Sequence, residues 1–375
     1  MYAIVISNRW LHRTPWVRCG PASGTLIALS ASALPSLAAA GTTRKVPKVG
    51  AQTVSLVTGG AGFIGSHLVE RLLALGHRVR VVDNLSTGSE RNLAAVLRDI
   101  EFLRGDLRDP ATCRDAVAGV ETVFHVAALP SVPRSLEDPW TSHDCNVNAT
   151  LRLLIACAAA RVRRVVYSSS SSTYGDTPAL PKMEAAEPLP RSPYAAAKLA
   201  GEQYVLAFAR AGRFEGMALR YFNVFGPRQD PHSPYAAVIP AFLAAAYEGR
   251  PAVVHGDGRQ TRDFTYVANV VDANVLAAET AASGTVANVG AGQQTSLLTL
   301  LAMISKIAGR SVEYTCSAPR AGDVRDSVAS LERASSVLGY RPSVTLKEGL
   351  KRTWAWFANT QRPHAASRAA VSVPV

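Results

Sequence analysis

Tyr194 and Lys198, in the run Tyr194-Ala195-Ala196-Ala197-Lys198, are the residues whose types and spacing most directly suggest chemistry. Four positions apart on a helix, a phenol and an ammonium stack on one face. A free tyrosine, with a pKa of about 10, is a poor base at neutral pH; a neighbouring cation favours phenolate, which can take a proton from a substrate hydroxyl. Taken singly, most pairs with this spacing are an exposed tyrosine and lysine on a helix. The five serines from Ser168 to Ser172, followed by Thr173-Tyr174-Gly175, change that reading. They come directly after Val165-Val166-Tyr167, a run that suits a buried strand, so they read as a strand exit rather than a linker. Their hydroxyls could hold the substrate hydroxyl and pass its proton to Tyr194.

A second constellation lies near the start of the ordered pattern. Gly59-Gly60-Ala61-Gly62-Phe63-Ile64-Gly65 falls between a β-branched run, Thr53 to Thr58, and an apolar 3.6 periodicity through Ile64, Leu68, Leu72 and Leu75 that stops at Gly76. That is strand, tight turn and helix. Gly59 permits the turn, Gly62 the close approach of a phosphate pair to backbone N–H groups, and Gly65 the packing of helix on strand. A lone glycine triplet is weak evidence, but Asp83 closes a second strand, Val79 to Asp83, eighteen residues past Gly65. An acid there accepts hydrogen bonds from the ribose hydroxyls of NAD and repels a 2′-phosphate, so NAD is expected rather than NADP. Gly105-Asp106-Leu107 and Ala127-Ala128 follow the third and fourth strands, at the carboxyl ends where cofactors bind in such sheets.

These residues need a frame. Strands are expected at Ile100 to Leu103, Thr122 to Val126, Val165 to Ser168 and Met217 to Arg220, with helices around Ser89 to Leu97, at 110–118, 140–160 and 193–211. Alternating strand and helix with nearly uninterrupted apolar strands predicts an α/β fold, a doubly wound parallel sheet covered on both faces, with a smaller C-terminal substrate-binding α/β lobe. Beyond Phe222 the pattern gives helices near 239–248, 268–282, 297–308 and 346–357, and strands at Val253-Val254 and Phe264 to Val267. The organisation expected is a poorly ordered extension at 1–52, a dinucleotide domain at 53–222 to which 260–292 returns, a lobe from 223–259 and 293–358, and a disordered tail at 359–375.

Composition limits the partners. The chain has 375 residues, 48% hydrophobic and 18% charged, with a formal charge of +12. Residues 1–50 hold six bases and 361–375 two, with no acid; removing these eight from the 40 basic residues leaves 32 against 28 acids. That suits an anionic small molecule and gives no basic face for nucleic acid. The apolar stretch Gly24 to Ala40 imitates a secretory leader but is broken by Ser30, Ser32, Pro35 and Ser36, so a leader and a plain extension both stand as readings. No run reaches the length of a membrane span. Five scattered cysteines without a C-x-x-C pair read as reduced thiols in a cytoplasmic protein, and no histidines sit at metal-ligand spacing, so no metal site is expected.

From Val54 to about Phe357 the chain resembles the extended short-chain dehydrogenase/reductases, and among them the UDP-N-acetylhexosamine 4-epimerases. The resemblance rests on Thr58 to Gly65, His125-Val126-Ala127-Ala128, Ser170 to Gly175, Ser192-Pro193-Tyr194 to Lys198, and Arg220-Tyr221-Phe222-Asn223-Val224-Phe225-Gly226. It implies that Tyr194 is the proton acceptor, Lys198 its electrostatic partner and ribose anchor, and Ser170 the bridge to the sugar O4, with Ser171, Ser172, Ser131 and Val132 nearby. It implies NAD contacts from Phe63, Ile64, Asn84, Ser86, Thr87, Gly88 and Tyr221 as well as the residues above. Asn223, Arg262 and Arg325 would meet the diphosphate and nucleotide, and Ala237 and Val238 the uracil. The implied reaction is 4-epimerisation of a UDP-sugar through a 4-keto sugar, in a homodimer paired through the helices near 140–160 and 193–211.

Sibling dehydratases carry an Asp-Glu pair where this chain has Ser171-Ser172, and decarboxylases a Glu at Ser172; a serine cannot supply a carboxyl group's proton chemistry. Ser327 falls where hexose-only epimerases carry a tyrosine, leaving room for an N-acetyl group, so UDP-N-acetylglucosamine is favoured over UDP-glucose, with UDP-glucuronate a further alternative. A non-catalytic NAD-sensing protein is the reading from another class; such proteins typically lack the Tyr/Lys pair kept here. Cys145 departs from the polar residue usual before Asn146-Val147-Asn148.

Overall fold

The computed structural model describes residues 54–231, 236–319 and 322–361, and the structural statements below concern these. The extension at 1–52, Cys19 and nearly all of the 359–375 tail lie outside them.

Six parallel strands follow the expected order: β1 (Val54–Thr58), β2 (Arg78–Asp83), β3 (Ile100–Arg104), β4 (Thr122–His125), β5 (Arg164–Ser170) and β6 (Glu215–Tyr221). A seventh, Thr285–Val289, comes from far along the chain and pairs in parallel with β6. The spatial order is Thr285–Val289, β6, β5, β4, β1, β2, β3, the doubly wound arrangement. Leu56, Val57, Val123, Phe124, Val165, Val166, Met217 and Leu219 are completely buried, which is why these strands read as continuous apolar runs rather than alternating ones. Helix α1 (Phe63–Ala74) leaves β1 through the glycine turn, and α2 (Pro110–Val117) starts from an Asp109 cap that accepts from the Ala111 and Thr112 amides.

Several elements differ from the sequence expectation, each for a local reason. The helix expected from Ser89 to Leu97 is one short 3₁₀ turn, Glu90–Leu93. Its polar groups bond the glycine turn instead: Ser89 N and Asn92 Nδ2 both donate to the Ala61 carbonyl, at 3.0 and 2.8 Å. The helix expected over 140–160 is broken into Pro139–His143, a π turn Asp144–Asn148, and Ala149–Ala159. Asn146 causes the break to be kept, because its side chain accepts from Leu129 N at 2.8 Å and donates to Leu129 O at 3.1 Å. The Phe264–Val267 strand shrinks to Thr265–Tyr266, paired with Val224–Phe225, since Val267 already opens a helix that runs to Glu279. The closing helix runs Leu346–Gln361, past the expected end near Phe357, there being no helix breaker in sequence before Pro363.

Candidate active site

The strand order reverses between β1 and β4, and there the carboxyl ends of the strands open into a cavity of about 600 Å³. Its floor is the glycine turn. Gly59 has a φ of +67°, and a Cβ on Gly65 would stand 2.2 Å from the Gly59 carbonyl oxygen, so neither position accepts a side chain without rebuilding the turn. Gly62 caps α1 without a side-chain hydrogen bond, and Gly62, Phe63 and Ile64 line the cavity. An uncapped helix start with bare backbone at its mouth fits a pyrophosphate.

Asp83, only 8% exposed, lines the same cavity with Asn84, Ser86 and Thr87. Its Oδ2 accepts from Ala61 N at 3.0 Å and its Oδ1 from Leu85 N at 2.8 Å, which leaves each oxygen a lone pair for a ribose hydroxyl. Burial pushes its pKa up and the two backbone bonds pull against that. Asp83→Asn is expected to weaken NAD binding about tenfold, the worth of a lost charge-assisted hydrogen bond, and to lessen the discrimination against NADP, both read by calorimetric titration. An unchanged NAD Kd would remove Asp83 from that contact. Asp106 and Leu107 also line the cavity; the Arg108 guanidinium, at 2.8 and 3.0 Å, and Asn84 hold the Asp106 carboxyl down to about 2. Gly88 is not among the lining residues. It packs against the Ala61 backbone, where a Cβ would come within 2.9 Å.

The opposite wall joins β4, β5 and the Pro193–Arg210 helix. Ala127 and Ala128 line it, and the Ala127 amide donates to Thr58 Oγ1 at 3.1 Å. His125 explains that placement. Thr150 Oγ1 donates to the Asn146 carbonyl and so accepts from His125 Nε2 at 2.9 Å, which leaves Nδ1 to accept from Thr58 Oγ1 at 2.7 Å. Burial pushes the imidazole down to about 3, with the Lys198 charge in the same direction, so His125 is a neutral structural strut.

Ser192 caps the helix, accepting from Ala195 N at 3.1 Å, and Pro193 takes the first position where no N–H is needed. The cap places Tyr194 in the first turn and Lys198 one turn further in, both lining the cavity. Ser168 to Ser172 all line it as well. Ser170 Oγ accepts from Ser172 Oγ at 2.8 Å, and Ser170 stands close enough to the Tyr194 phenol to favour its ionised form, so the phenol and the two hydroxyls share one wall of the cavity. Burial pushes the Tyr194 phenol up to about 12 and Lys198 down to about 7. Tyr221 lines the cavity and bonds Ser168 Oγ at 2.9 Å and Asn274 on the Val267–Glu279 helix.

The remaining predicted residues divide. Val132, Asn223, Arg262 and Ser327 line the main cavity; Ala237 and Val238 line a second, of about 220 Å³, which shares Asn223, Val224, Arg262 and Asp323 with the first. Arg262 is tied to Asp323 Oδ1 at 2.6 Å and to the Thr261 and Arg325 carbonyls, so part of its charge is already answered within the chain. Ser131 is not a lining residue: it caps the Val132–Glu137 helix, accepting from Arg134 N. Arg325 is not one either; its exposed guanidinium turns to Asp257 at 3.1 Å.

Sequence reading missed Lys182, Arg191, Gln229 and Cys145 in the lining, and the buried Glu202, which accepts from Ser169 Oγ at 2.7 Å and from Arg220. Only Glu202 carried a signal, its place four residues past Lys198. Among the described residues, Cys113, Cys145, Cys157 and Cys316 are free, no group of three or more His, Cys, Asp or Glu gathers as metal ligands, and no helix is long and apolar enough to cross a membrane.

A doubly wound parallel sheet with a glycine cradle at its switch point, and a Tyr/Lys/Ser group at the neighbouring strand mouths, defines an extended short-chain dehydrogenase/reductase fold. The chain belongs to the NAD dependent epimerase/dehydratase family, whose profile matches residues 55–290, and NAD is its cofactor. It is 43% identical to a UDP-glucose 4-epimerase of Mycolicibacterium smegmatis over 81% of this chain and 98% of that protein. Among solved structures it is similar to a UDP-N-acetylglucosamine 4-epimerase of Methanobrevibacter ruminantium in complex with UDP-N-acetylmuramic acid (38% identity, 82% of this chain and 99% of that one, TM-score 0.79). It is likewise similar to a UDP-glucose 4-epimerase of Thermus thermophilus in complex with NAD (37% identity, 82% and 99%, TM-score 0.76).

Proposed function

We propose that this protein interconverts UDP-N-acetylglucosamine and UDP-N-acetylgalactosamine. The coarser activity is that of an NAD-dependent UDP-sugar 4-epimerase. Tyr194 accepts the O4 proton beside the Ser170 and Ser172 hydroxyls, Lys198 supplies the neighbouring positive charge, and the same phenol returns the proton after the 4-keto sugar has turned over in the cavity. Bound NAD supplies a hydride acceptor in the first half of this cycle and a donor in the second. Asn223 and Arg262 would meet the diphosphate and Ala237 and Val238 the uracil ring, a reading supported by Asn223 and Arg262 lining both cavities and Ala237 and Val238 the second.

The observation that carries the choice of sugar is Ser327, a small, nearly buried side chain lining the cavity that also holds Tyr194 and Ser170. A serine there leaves volume beside the ring that a tyrosine would fill. Incubating the purified protein with UDP-N-acetylglucosamine, UDP-glucose and UDP-glucuronate and resolving the 4-epimers tests this. The N-acetyl substrate is expected to have the highest kcat/KM, and Ser327→Tyr to lower it by about tenfold or more while UDP-glucose turnover changes little. A preference for UDP-glucose in the unaltered protein overturns the choice of sugar and leaves the reaction class standing. That second reading is favoured by the relatives whose names carry UDP-glucose. A homodimer belongs to the same proposal, supported by the exposed Trp140, Ile155 and Tyr204 on the helices named for pairing.

A further inference from the structure

We propose that Tyr167 is a positioning residue for Lys198 through its ring face, which receives the ammonium; the hydroxyl bond to the lysine's own carbonyl is an accessory contact. The inference rests on the reading of Lys198 as the partner of Tyr194. Tyr167 sits in β5, in register between His125 of β4 and Ala218 of β6, and is 1% exposed. The Lys198 Nζ lies 4.6 Å from the centroid of its ring. The phenol donates to the Lys198 carbonyl at 3.3 Å. Helix and strand can approach that closely because residue 201 is a glycine: a Cβ there would stand 2.3 Å from the phenol oxygen. On the sheet side the ring meets His125, centroids 5.6 Å apart. The ring is thus held by His125, by Gly201 and by a hydrogen bond to the lysine's own backbone.

The chemistry asks for such a partner. Lys198 is almost wholly buried and burial disfavours its charge, so part of what water supplied must come from the protein. Glu202, one turn on, is already held by Arg220 and Ser169. A carboxylate pressed on the ammonium would also take its N–H donors. An aromatic face attracts the charge through its quadrupole and leaves the three donors for the cavity.

The titratable groups around this arrangement are His125 of β4, Tyr167 of β5, Tyr194 and Glu202 of the lysine's own helix, and Arg220 and Tyr221 of β6. The other elements packed on that helix bring Arg134, Glu137, His143, Asp144, Cys145, Arg152, Cys157 and Tyr174; Tyr204 and Arg210 lie further along the helix itself, and the far ends of β5 and β6 bring Arg164 and Glu215.

The chain has seven lysines, so the full-length protein labelled with ¹³C at lysine Cε gives a sparse NMR spectrum in which Lys198 is assigned by its loss in Lys198→Arg. Tyr167→Phe keeps the face, Tyr167→Leu removes it, and phenylalanine with one and then three ring fluorines at position 167 empties it progressively at nearly constant shape. The expected result is a Lys198 titration midpoint near the unaltered one in Tyr167→Phe, and about one pH unit lower in Tyr167→Leu, with the fluorinated rings between. In the epimerase assay kcat falls about tenfold in Tyr167→Leu at a nearly unchanged KM, and stays within about threefold in Tyr167→Phe. A midpoint and kcat that ignore both leucine and fluorination overturn the proposal, as does a phenylalanine variant as impaired as the leucine one. If Tyr167→Leu does not fold, the fluorinated series decides alone. An unaltered protein with no epimerase activity but with the midpoints ordered as above sinks the catalytic reading and leaves the ring contact standing; an active protein with unmoved midpoints sinks only the contact.

Discussion

Tyr194→Phe is expected to lower kcat for 4-epimerisation by about a hundred- to ten-thousandfold, the worth of proton transfer by one positioned group, with little change in KM because the ring still fills its place. The phenol stands beside Ser170 at the end of β5, and neither hydroxyl next to it can act as a base: Ser170 and Ser172 are alcohols. Burial holds Tyr194 neutral across the physiological range, at about 12, so the basic form is gained as pH rises. The sign of the pH dependence follows. On its acid side the unaltered enzyme's kcat/KM climbs with pH as the phenol loses its proton, and this limb is absent from the Tyr194→Phe profile. A loss smaller than tenfold, or a variant that keeps the acid limb, would assign the proton to a different group.

Glu202→Ala carries the largest expected cost in stability. Glu202 is completely buried and Arg220 is 2% exposed; the guanidinium meets the carboxylate at 2.6 and 3.0 Å, Ser169 Oγ adds a third hydrogen bond at 2.7 Å, and the Tyr174 ring lies 4.5 Å beneath Arg220. Removing one member leaves a buried guanidinium without its counter-charge, which costs about 3–5 kcal/mol. A thermal midpoint lower by on the order of ten degrees is the readout. Replacing both partners by apolar residues, Glu202→Met with Arg220→Leu, is expected to recover much of the loss, because neither charge then has to be desolvated. If the single variant costs less than about 1 kcal/mol, or the double variant costs as much as the single, the pair is not what joins the Pro193–Arg210 helix to β6.

These two residues show how differently parts of the site were legible. The glycine turn, Asp83 at a strand end and the Tyr194/Lys198 spacing could be read because each depends on backbone geometry within a few residues: a turn, a strand's last position, one helical repeat. The π turn at Asp144–Asn148 escaped the same reading, because it is kept by Asn146 bonding Leu129, seventeen positions away. The resemblance implies that Arg325 meets the nucleotide; that its exposed guanidinium pairs with Asp257, sixty-eight positions earlier, is visible only in the fold. Glu202 stood in plain sight at the right spacing, but its meaning lies in Arg220 and Ser169, which reach it only when β5 and β6 pair in register.

Residue order by itself determined the parallel sheet, the dinucleotide cradle and the helix that presents the tyrosine and lysine, since periodicity and glycine placement act locally and tolerate little else. The three-dimensional fold decided the electrostatics: a buried phenol near 12, a buried ammonium near 7 and a neutral His125. Those values follow from how much water each group loses and which distant groups replace it. Desolvation is a property of the packed assembly of strands and helices, and no stretch of neighbouring residues carries it.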